Sequence, residues 1–459
     1  METGDKRGVS ARATVQRWAS AQWVSIVLVL VAVVYGGAVT ILHDDTVSPI
    51  DEVVYLDYAY KVWDQGIVHE GEEFGDDVAQ VVACENVLPF GNLGQECGAD
   101  TVDLPGMPNQ GITTGAGYTP VYFWSVRIVG DPIHQITGLS DVTSWRLSGL
   151  VWLAGTVLVL VPLLRRAGVG ESATLALGLL FIASPFSWWT YTYLSTDASV
   201  VLFGAAMLLV AMNHVRGRGS LWWLLPLAVL GPVFKITNLL VLGLIVLYLG
   251  IDAIARRRRA VAADAPAGEV TRTGLMPWVA VAVALVAGVV VQVVWMRVFP
   301  LFAVSDIVVD QGVSSSLSGT EIVRLMLSGV AGPITHNPFA GFSGSPLPDQ
   351  IMTPLSWLFI AGVIGAVMVF RWDLERGPVI WATAIASLTA LPALGIVISV
   401  LSNSYFDLPA RYGAGLIPAG LLVLGFMLRN RAAIMIAIAY AGVLMAFGIS
   451  LAVHVGAAY

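Results

Sequence analysis

Residues 22–52, QWVSIVLVLVAVVYGGAVTILHDDTVSPIDE, decide the fold class. Gln22 to Leu42 form an apolar run long enough to cross the hydrocarbon core of a bilayer. No small-residue cleavage pattern follows this run, so we expect a retained helix rather than a signal peptide. The following residues are polar and end in two adjacent carboxylates, Asp51 and Glu52. Because carboxylates are costly beside hydrocarbon, this pair predicts a functional role at the membrane surface.

The composition of the whole chain is that of a polytopic membrane protein. Of its 459 residues, 57% are hydrophobic and only 12% are charged, and the mean hydropathy is +0.78. A soluble domain carries about twice that charged fraction. We therefore predict an all-α polytopic protein with about eleven transmembrane helices, placed near residues 22–42, 146–164, 172–191, 198–213, 219–236, 237–255, 275–298, 354–370, 378–401, 413–428 and 432–452.

The distribution of charge predicts the orientation of these helices. With the N-terminus inside, 17 of the 24 Lys and Arg residues lie at cytoplasmic ends, and 23 of the 31 Asp and Glu residues lie outside. The C-terminus is then extracytoplasmic. The predicted organisation is a cytoplasmic tail (1–21), a first helix (22–42), an extracytoplasmic loop (43–144), helices two to seven (145–298), a second extracytoplasmic loop (299–353) and helices eight to eleven (354–459).

The only two cysteines, Cys84 and Cys97, both fall in the first predicted extracytoplasmic loop. Because that compartment is oxidising, a disulfide that closes a small loop is the favoured interpretation. Two free thiols are the alternative.

Five short motifs lie on the predicted outer side, namely Asp51-Glu52, Tyr118-Thr-Pro-Val-Tyr122, Ser195-Thr-Asp197, Gly231-Pro-Val-Phe-Lys-Ile-Thr237, and Arg411-Tyr412 with Pro418. Together they resemble the GT-C superfamily of membrane glycosyltransferases. The resemblance covers most of the chain in topology but only about fifty residues in motif. The Tyr118 segment departs from the His-Pro-Pro of many relatives, so its role is left open.

This resemblance implies a GT-C-like fold and a glycosyltransferase (EC 2.4 class) in a bacterial plasma membrane. Such an enzyme moves a sugar from a polyprenyl-phosphate donor to a glycan, lipid or protein acceptor of the cell envelope. Two other classes stay open, namely a membrane transporter or lipid flippase, and a non-catalytic envelope-assembly subunit. The expected partners are the lipid-linked donor, the acceptor and membrane lipids, with no nucleic acid.

The acidic candidates have assigned roles and structural alternatives. The resemblance implies that Asp51 is the general base, with Glu52 as the alternate. The alternative is that one of this pair caps the helix that follows. Asp197 and Asp57 are candidates for positioning the acceptor or a metal, although Asp197 also suits the N-cap of the fourth helix.

The basic candidates are those suited to a departing phosphate, which Arg binds as a fork and Lys as a point charge. They are Lys235, Arg411 with its neighbour Tyr412, Arg127 and Arg146. Lys235 is placed at membrane level, where an ammonium needs a partner, and its alternative is snorkelling to the headgroups. Arg146 alternatively anchors the second span at the interface.

No cofactor is specified by the sequence. The outer histidines His43, His69, His134 and His336 are scattered without i, i+4 spacing, so zinc is not expected and each is interpreted as solvated. A Mg²⁺ or Mn²⁺ ion held by outer carboxylates is left open. There is no P-loop or dinucleotide fingerprint.

Overall fold

The computed structural model describes residues 11–99, 103–262, 274–307, 315–336, 349–402 and 404–457. Within these ranges the chain is all-α, with isolated β-bridges and no β-strand. In chain order the helices are α1 (Ala11–Leu42), α2 (Glu52–Gln65), α3 (Asp76–Glu85), α4 (Val121–Thr137), α5 (Asp141–Arg146), α6 (Gly149–Arg166), α7 (Glu171–Ile182), α8 (Pro185–Thr192), α9 (Val200–Val215), α10 (Leu224–Phe234), α11 (Leu240–Ala262), α12 (Met276–Val298), α13 (Gly319–Thr335), α14 (Asp349–Phe370), α15 (Gly377–Ser402), α16 (Ile417–Met427) and α17 (Arg431–Ala457).

The described residues contain nine helical segments that are long and apolar enough to cross a membrane. This confirms the prediction of an all-α polytopic membrane protein. The segments are Gln22–Leu42, Asp141–Arg166, Thr196–Val215, Ile236–Arg259, Met276–Phe302, Ile351–Phe370, Gly377–Leu401, Ala410–Met427 and Arg431–Val455.

Two of the eleven predicted spans take a different form. The third is divided into α7 and α8, which meet at 59° and count as a tenth span only if taken together. The bend follows from Ser184, whose hydroxyl caps α8, and from Pro185 at the first position of that helix. The fifth is the short apolar segment Leu221–Phe234, which ends where the backbone becomes extended at Lys235.

The long predicted loops contain helices of their own. Helices α2, α3 and α4 lie in the first, and α13 lies in the second. The two loops contact each other, since Val304 N donates to the carbonyl of Glu70 at 2.9 Å and Ser305 Oγ to that of Gly71 at 3.0 Å. Both therefore lie on one side of the spans, which we call the loop side.

The predicted disulfide is present between Cys84 and Cys97. It joins the end of α3 to a turn 13 residues further along the chain. Helix α2, in contrast, is buried along most of its length and packs under α4. Its N-terminus is thereby fixed against the ends of the spans.

Candidate functional site

Asp51 precedes α2 and has a left-handed backbone, with φ of 59° and ψ of −12°. Residues other than glycine seldom adopt this conformation because Cβ crowds the backbone, so the surrounding structure must hold it there. The side chain makes no capping hydrogen bond, which is at odds with the helix-cap alternative. The carboxylate is 40% exposed, and its Oδ2 lies 2.7 Å from Nη2 of Arg411.

Arg411 joins Asp51 to a second carboxylate. Its Nε lies 3.3 Å from Oδ2 of Asp197, while its Nη2 makes the Asp51 contact. The side chains of Arg411 and Asp197 are only 8% and 2% exposed. Charges so well removed from water depend on each other for stabilisation.

Lys235 completes the group. Its Nζ lies 2.7 Å from Oδ1 of Asp197 and 5.4 Å from the ring centroid of Tyr412, whose π face also attracts the Arg411 guanidinium at 5.8 Å. We call Asp51, Asp197, Lys235 and Arg411 the charge cluster. Its two cations and two anions balance, which explains how it is tolerated at the ends of membrane spans.

Local sequence explains how two of these side chains reach the cluster. Pro232 lies inside α10 and lacks a backbone N–H, and the helix ends two residues later. Lys235 is then extended, with φ of −160° and ψ of 132°. At Asp197 the cap is Ser195, whose hydroxyl accepts from the Asp197 N–H at 3.2 Å. The Asp197 carboxylate is therefore not the cap that the alternative interpretation supposed.

A close backbone approach brings Asp197 to Arg411. Gly204 of α9 faces the carbonyl oxygen of Gly415, and a Cβ at Gly204 would overlap that oxygen. Small residues permit such contact between membrane helices. The start of α9, with Asp197, consequently lies against the turn Ala410–Leu416, which carries Arg411.

A group of hydroxyls adjoins the exposed carboxylate. The hydroxyl of Tyr55 lies 3.4 Å from Asp51 Oδ2, 3.3 Å from the hydroxyl of Tyr118 and 3.2 Å from Thr196 Oγ1. Burial raises the pKa of Tyr55 well above its ordinary value, so this phenol stays protonated. Asp51 and Tyr55 are four residues apart, a spacing that brings side chains together on one helix face, and Tyr118 and Thr196 join them from other parts of the chain.

Several buried polar atoms around the cluster lack hydrogen bonds. Although the ion contacts are close, Asp197 Oδ1 and Arg411 Nε have no hydrogen bond of good geometry. Thr237 Oγ1 and His336 Nε2 are also without partners among the described residues. A buried atom without any partner, such as Thr237 Oγ1 or His336 Nε2, costs about 1–3 kcal/mol, so these atoms mark a place where a polar ligand would complete the bonding.

A cavity of about 210 Å³ opens beside Lys235. Its polar lining residues are Tyr118, Thr119, Lys235, Thr237, Gln292 and Tyr412. Its apolar lining residues are Pro232, Phe234, Ile236, Leu394, Ile398 and Phe406. The cavity thus suits a ligand that carries both an anionic group and hydrocarbon.

Glu52, the other predicted base, is directed away from this cluster. Its carboxylate accepts from Arg146 Nε and Nη2 at 2.8 and 2.9 Å, and from the backbone N–H of Ser48 and Leu194 at 2.8 and 2.9 Å. Arg146 also donates to the carbonyls of Asp44 and Thr46. Both side chains are completely buried. This pair fastens the start of the first loop to α5 and leaves neither group free to meet a ligand.

Two further candidates lie outside the charge cluster and have other partners. Arg127 pairs with Asp131 at 2.8 Å and donates to the carbonyl of Ala59. Asp57 lies 3.1 Å from Lys61 and accepts from the N–H of Gly75 at 2.8 Å. Burial raises the pKa of Asp57, and these contacts with Lys61 and Gly75 oppose that rise. The structure thus gives both residues contacts within the loop-side helices.

The sequence interpretation overlooked His336. It treats this residue as solvated, whereas the structure buries its Nε2 near Arg411 and Asp197. A signal was present only indirectly, in the mixed polar and apolar character of the preceding α13. Among the residues described, no group of three or more His, Cys, Asp or Glu side chains could hold a metal ion.

The fold and the site define a polytopic membrane protein with a buried charge cluster at the loop side of its spans. Comparisons with protein-family models, with curated proteins and with solved structures found no match to this chain. The arguments about function therefore rest on the site itself.

Proposed function

We propose that this protein is a GT-C-type membrane glycosyltransferase that takes a sugar from a polyprenyl-phosphate donor. The observation that carries this proposal is the charge cluster beside the amphipathic cavity. Lys235 belongs to both, so a phosphate bound by Lys235 would have its hydrocarbon chain directed into apolar surroundings. The carboxylate of Asp51, which is 40% exposed, lies 2.7 Å from the guanidinium of Arg411.

The polar atoms of the site fit this class of ligand. The cations Arg411 and Lys235 are donors suited to phosphate oxygens, while the carboxylates of Asp51 and Asp197 are acceptors suited to hydroxyls. Thr237 Oγ1, which has no hydrogen-bond partner among the described residues, serves either role. A glycosyl phosphate supplies both an anion and hydroxyls, whereas a simple phosphate supplies no hydroxyl donors of that kind.

The reaction we propose is direct transfer. Asp51 takes the proton of the acceptor hydroxyl as its oxygen forms a bond with the anomeric carbon. The bond between that carbon and the phosphate oxygen breaks, and polyprenyl phosphate departs with the bonding electrons. Lys235 and Arg411 stabilise the charge that develops on the phosphate. General-base assistance of this kind contributes about 10²–10⁴-fold.

The residues present do not favour a divalent cation at this place. Asp51 and Asp197 already contact Arg411, and Asp197 also contacts Lys235. A bound Mg²⁺ or Mn²⁺ would meet both positive charges at short range, which is unfavourable. We derive no step through a metal.

The acceptor, a glycan, lipid or protein of the envelope, would approach from the loop side, which we propose to be extracytoplasmic.

Release of polyprenyl phosphate from a panel of pentosyl and hexosyl donors, measured with the purified protein in nanodiscs, tests the proposal. Asp51→Asn should reduce release at least 10²-fold, as expected for the loss of a general base. Asp64→Asn is the matched control, since this exposed acid lies on the adjoining helix, away from the charge cluster. Full activity of the Asp51 variant would refute the assignment.

A lipid-phosphate transporter is the second candidate, because buried charges at membrane level also mark transport pathways. The same amphipathic cavity would then carry the donor across the bilayer. Translocation of a fluorescent polyprenyl phosphate in proteoliposomes, unaffected by Asp51→Asn and without any covalent product, would favour this alternative over transfer.

A further inference from the structure

His336 lies immediately after α13, at the turn that carries Arg411. Gly332 is the closest approach: a Cβ at Gly332 would lie 2.7 Å from Cβ of Ala410. One turn along, a Cβ at Gly413 would lie 3.0 Å from Cγ of Pro333. These tight contacts fix the end of α13 against the cluster, so the position of His336 is determined by packing.

The imidazole has an unused hydrogen-bonding atom. The residue as a whole is partly exposed, yet Nε2 is inaccessible and has no partner among the residues described. A buried imidazole nitrogen without a partner among the described residues calls for one from a ligand. Arg411 Nε has only the 3.3 Å contact with Asp197 Oδ2.

The surroundings of His336 keep it neutral. The pKa of His336 is lowered to about 3, mainly by burial and also by the Arg411 guanidinium, while Asp197 acts in the opposite direction. A neutral imidazole donates through one nitrogen without adding a third positive charge to the cluster. Lys235 and Arg411 therefore balance the negative charge of the ligand, and a hydrogen bond from His336 orients it.

We propose that His336 is a further phosphate-binding residue, whose Nε2–H donates to an oxygen of the lipid phosphate that Lys235 and Arg411 neutralise. This inference rests on the proposed function for the identity of the ligand. It deepens that proposal because it places one contact on an element, α13, that none of the recognised motifs includes.

Binding of farnesyl phosphate and of farnesol to the purified protein in nanodiscs, by calorimetry, tests this role without sugar transfer. His336→Ala should weaken farnesyl phosphate binding about tenfold or more, the effect of losing a hydrogen bond to a charged group. Farnesol binding should be unchanged. His336→Gln, whose amide nitrogen reaches the place of Nε2, should restore most of the affinity. Equal thermal midpoints show that the variants are folded.

The outcomes separate the two proposals. Unchanged farnesyl phosphate affinity in His336→Ala would overturn the role of His336, even if Asp51→Asn abolished transfer. His336-dependent phosphate binding in a protein that transfers no sugar would uphold this inference and reject the transferase. If inorganic phosphate binds as tightly as farnesyl phosphate, the claim that the ligand is a lipid phosphate is overturned. If farnesyl phosphate affinity falls steeply between pH 6 and 8 in wild type but not in His336→Gln, the claim that His336 donates as a neutral imidazole is overturned.

Discussion

The adjacent acids Asp51 and Glu52 should respond to isosteric substitution in opposite ways. Glu52→Gln places an amide group where a carboxylate accepts four hydrogen bonds. Whichever way the amide turns, its NH₂ faces two donors, one of them Arg146. The substitution also leaves the Arg146 cation without its buried counterion. Breaking a buried pair costs about 3–5 kcal/mol. Because Arg146 keeps two carbonyl acceptors, we expect the lower end, about 3 kcal/mol.

Asp51→Asn is the contrasting perturbation. Its carboxylate is 40% exposed and has one ion contact, so we expect a stability loss of about 1 kcal/mol and a large loss of transfer. The assay is thermal unfolding of both variants in detergent, alongside polyprenyl phosphate release in nanodiscs. If Glu52→Gln unfolds no earlier than Asp51→Asn, the argument that Glu52 is a structural anchor is refuted.

Three further results are expected. Lys235→Met should destabilise the protein by about 3 kcal/mol, because buried Asp197 loses its closer cation and keeps only the 3.3 Å contact with Arg411. Adding Asp197→Leu should restore thermal stability without restoring transfer, and additive losses would contradict the pairing. Cys84→Ser with Cys97→Ser should cost about 3 kcal/mol, seen as faster proteolysis of the first loop, and equal digestion rates would count against it. A hydrogen bond from an arginine holds the pKa of Glu321 at about 2, against a small opposing effect of burial. The stabilising contribution of Glu321 is therefore present above about pH 4.5 and is lost as the pH falls towards 2. Hydrogen exchange at the start of α13, where Glu321 lies, should rise over that window in wild type and not in Glu321→Gln.

The individual members of the charge cluster were predictable as candidates because charged residues are rare near the spans. Seven basic residues fall on the predicted outer side, so Lys235 and Arg411 stood out as candidates. Their convergence was not predictable. It depends on the approach of Gly204 to Gly415 and on the helix break before Lys235, and neither contact leaves a periodic pattern in the sequence.

The direction of the two adjacent acids was also beyond the sequence. A left-handed residue at Asp51 turns its side chain towards Arg411 while Glu52 enters the first turn of α2. Aspartate tolerates the left-handed conformation, but nothing in the sequence predicts that Asp51 adopts it. His336 was missed for a related reason. The second loop was predicted without a helix, so the residue that follows α13 was treated as solvent-exposed.

The charge cluster also constrains how the protein is made. Asp51 and Arg411 are separated by 360 residues in the chain, and at about 5–20 residues per second the second follows the first by roughly 20–70 seconds. Asp197 and Lys235 enter the membrane in that interval, and an unpaired ionised group is costly at membrane level. The two residues form an ion pair with each other, so neither depends on a later part of the chain for its counterion. Arg411 is the last residue of the charge cluster to be synthesised, so a chain that ends before it lacks a complete charge cluster.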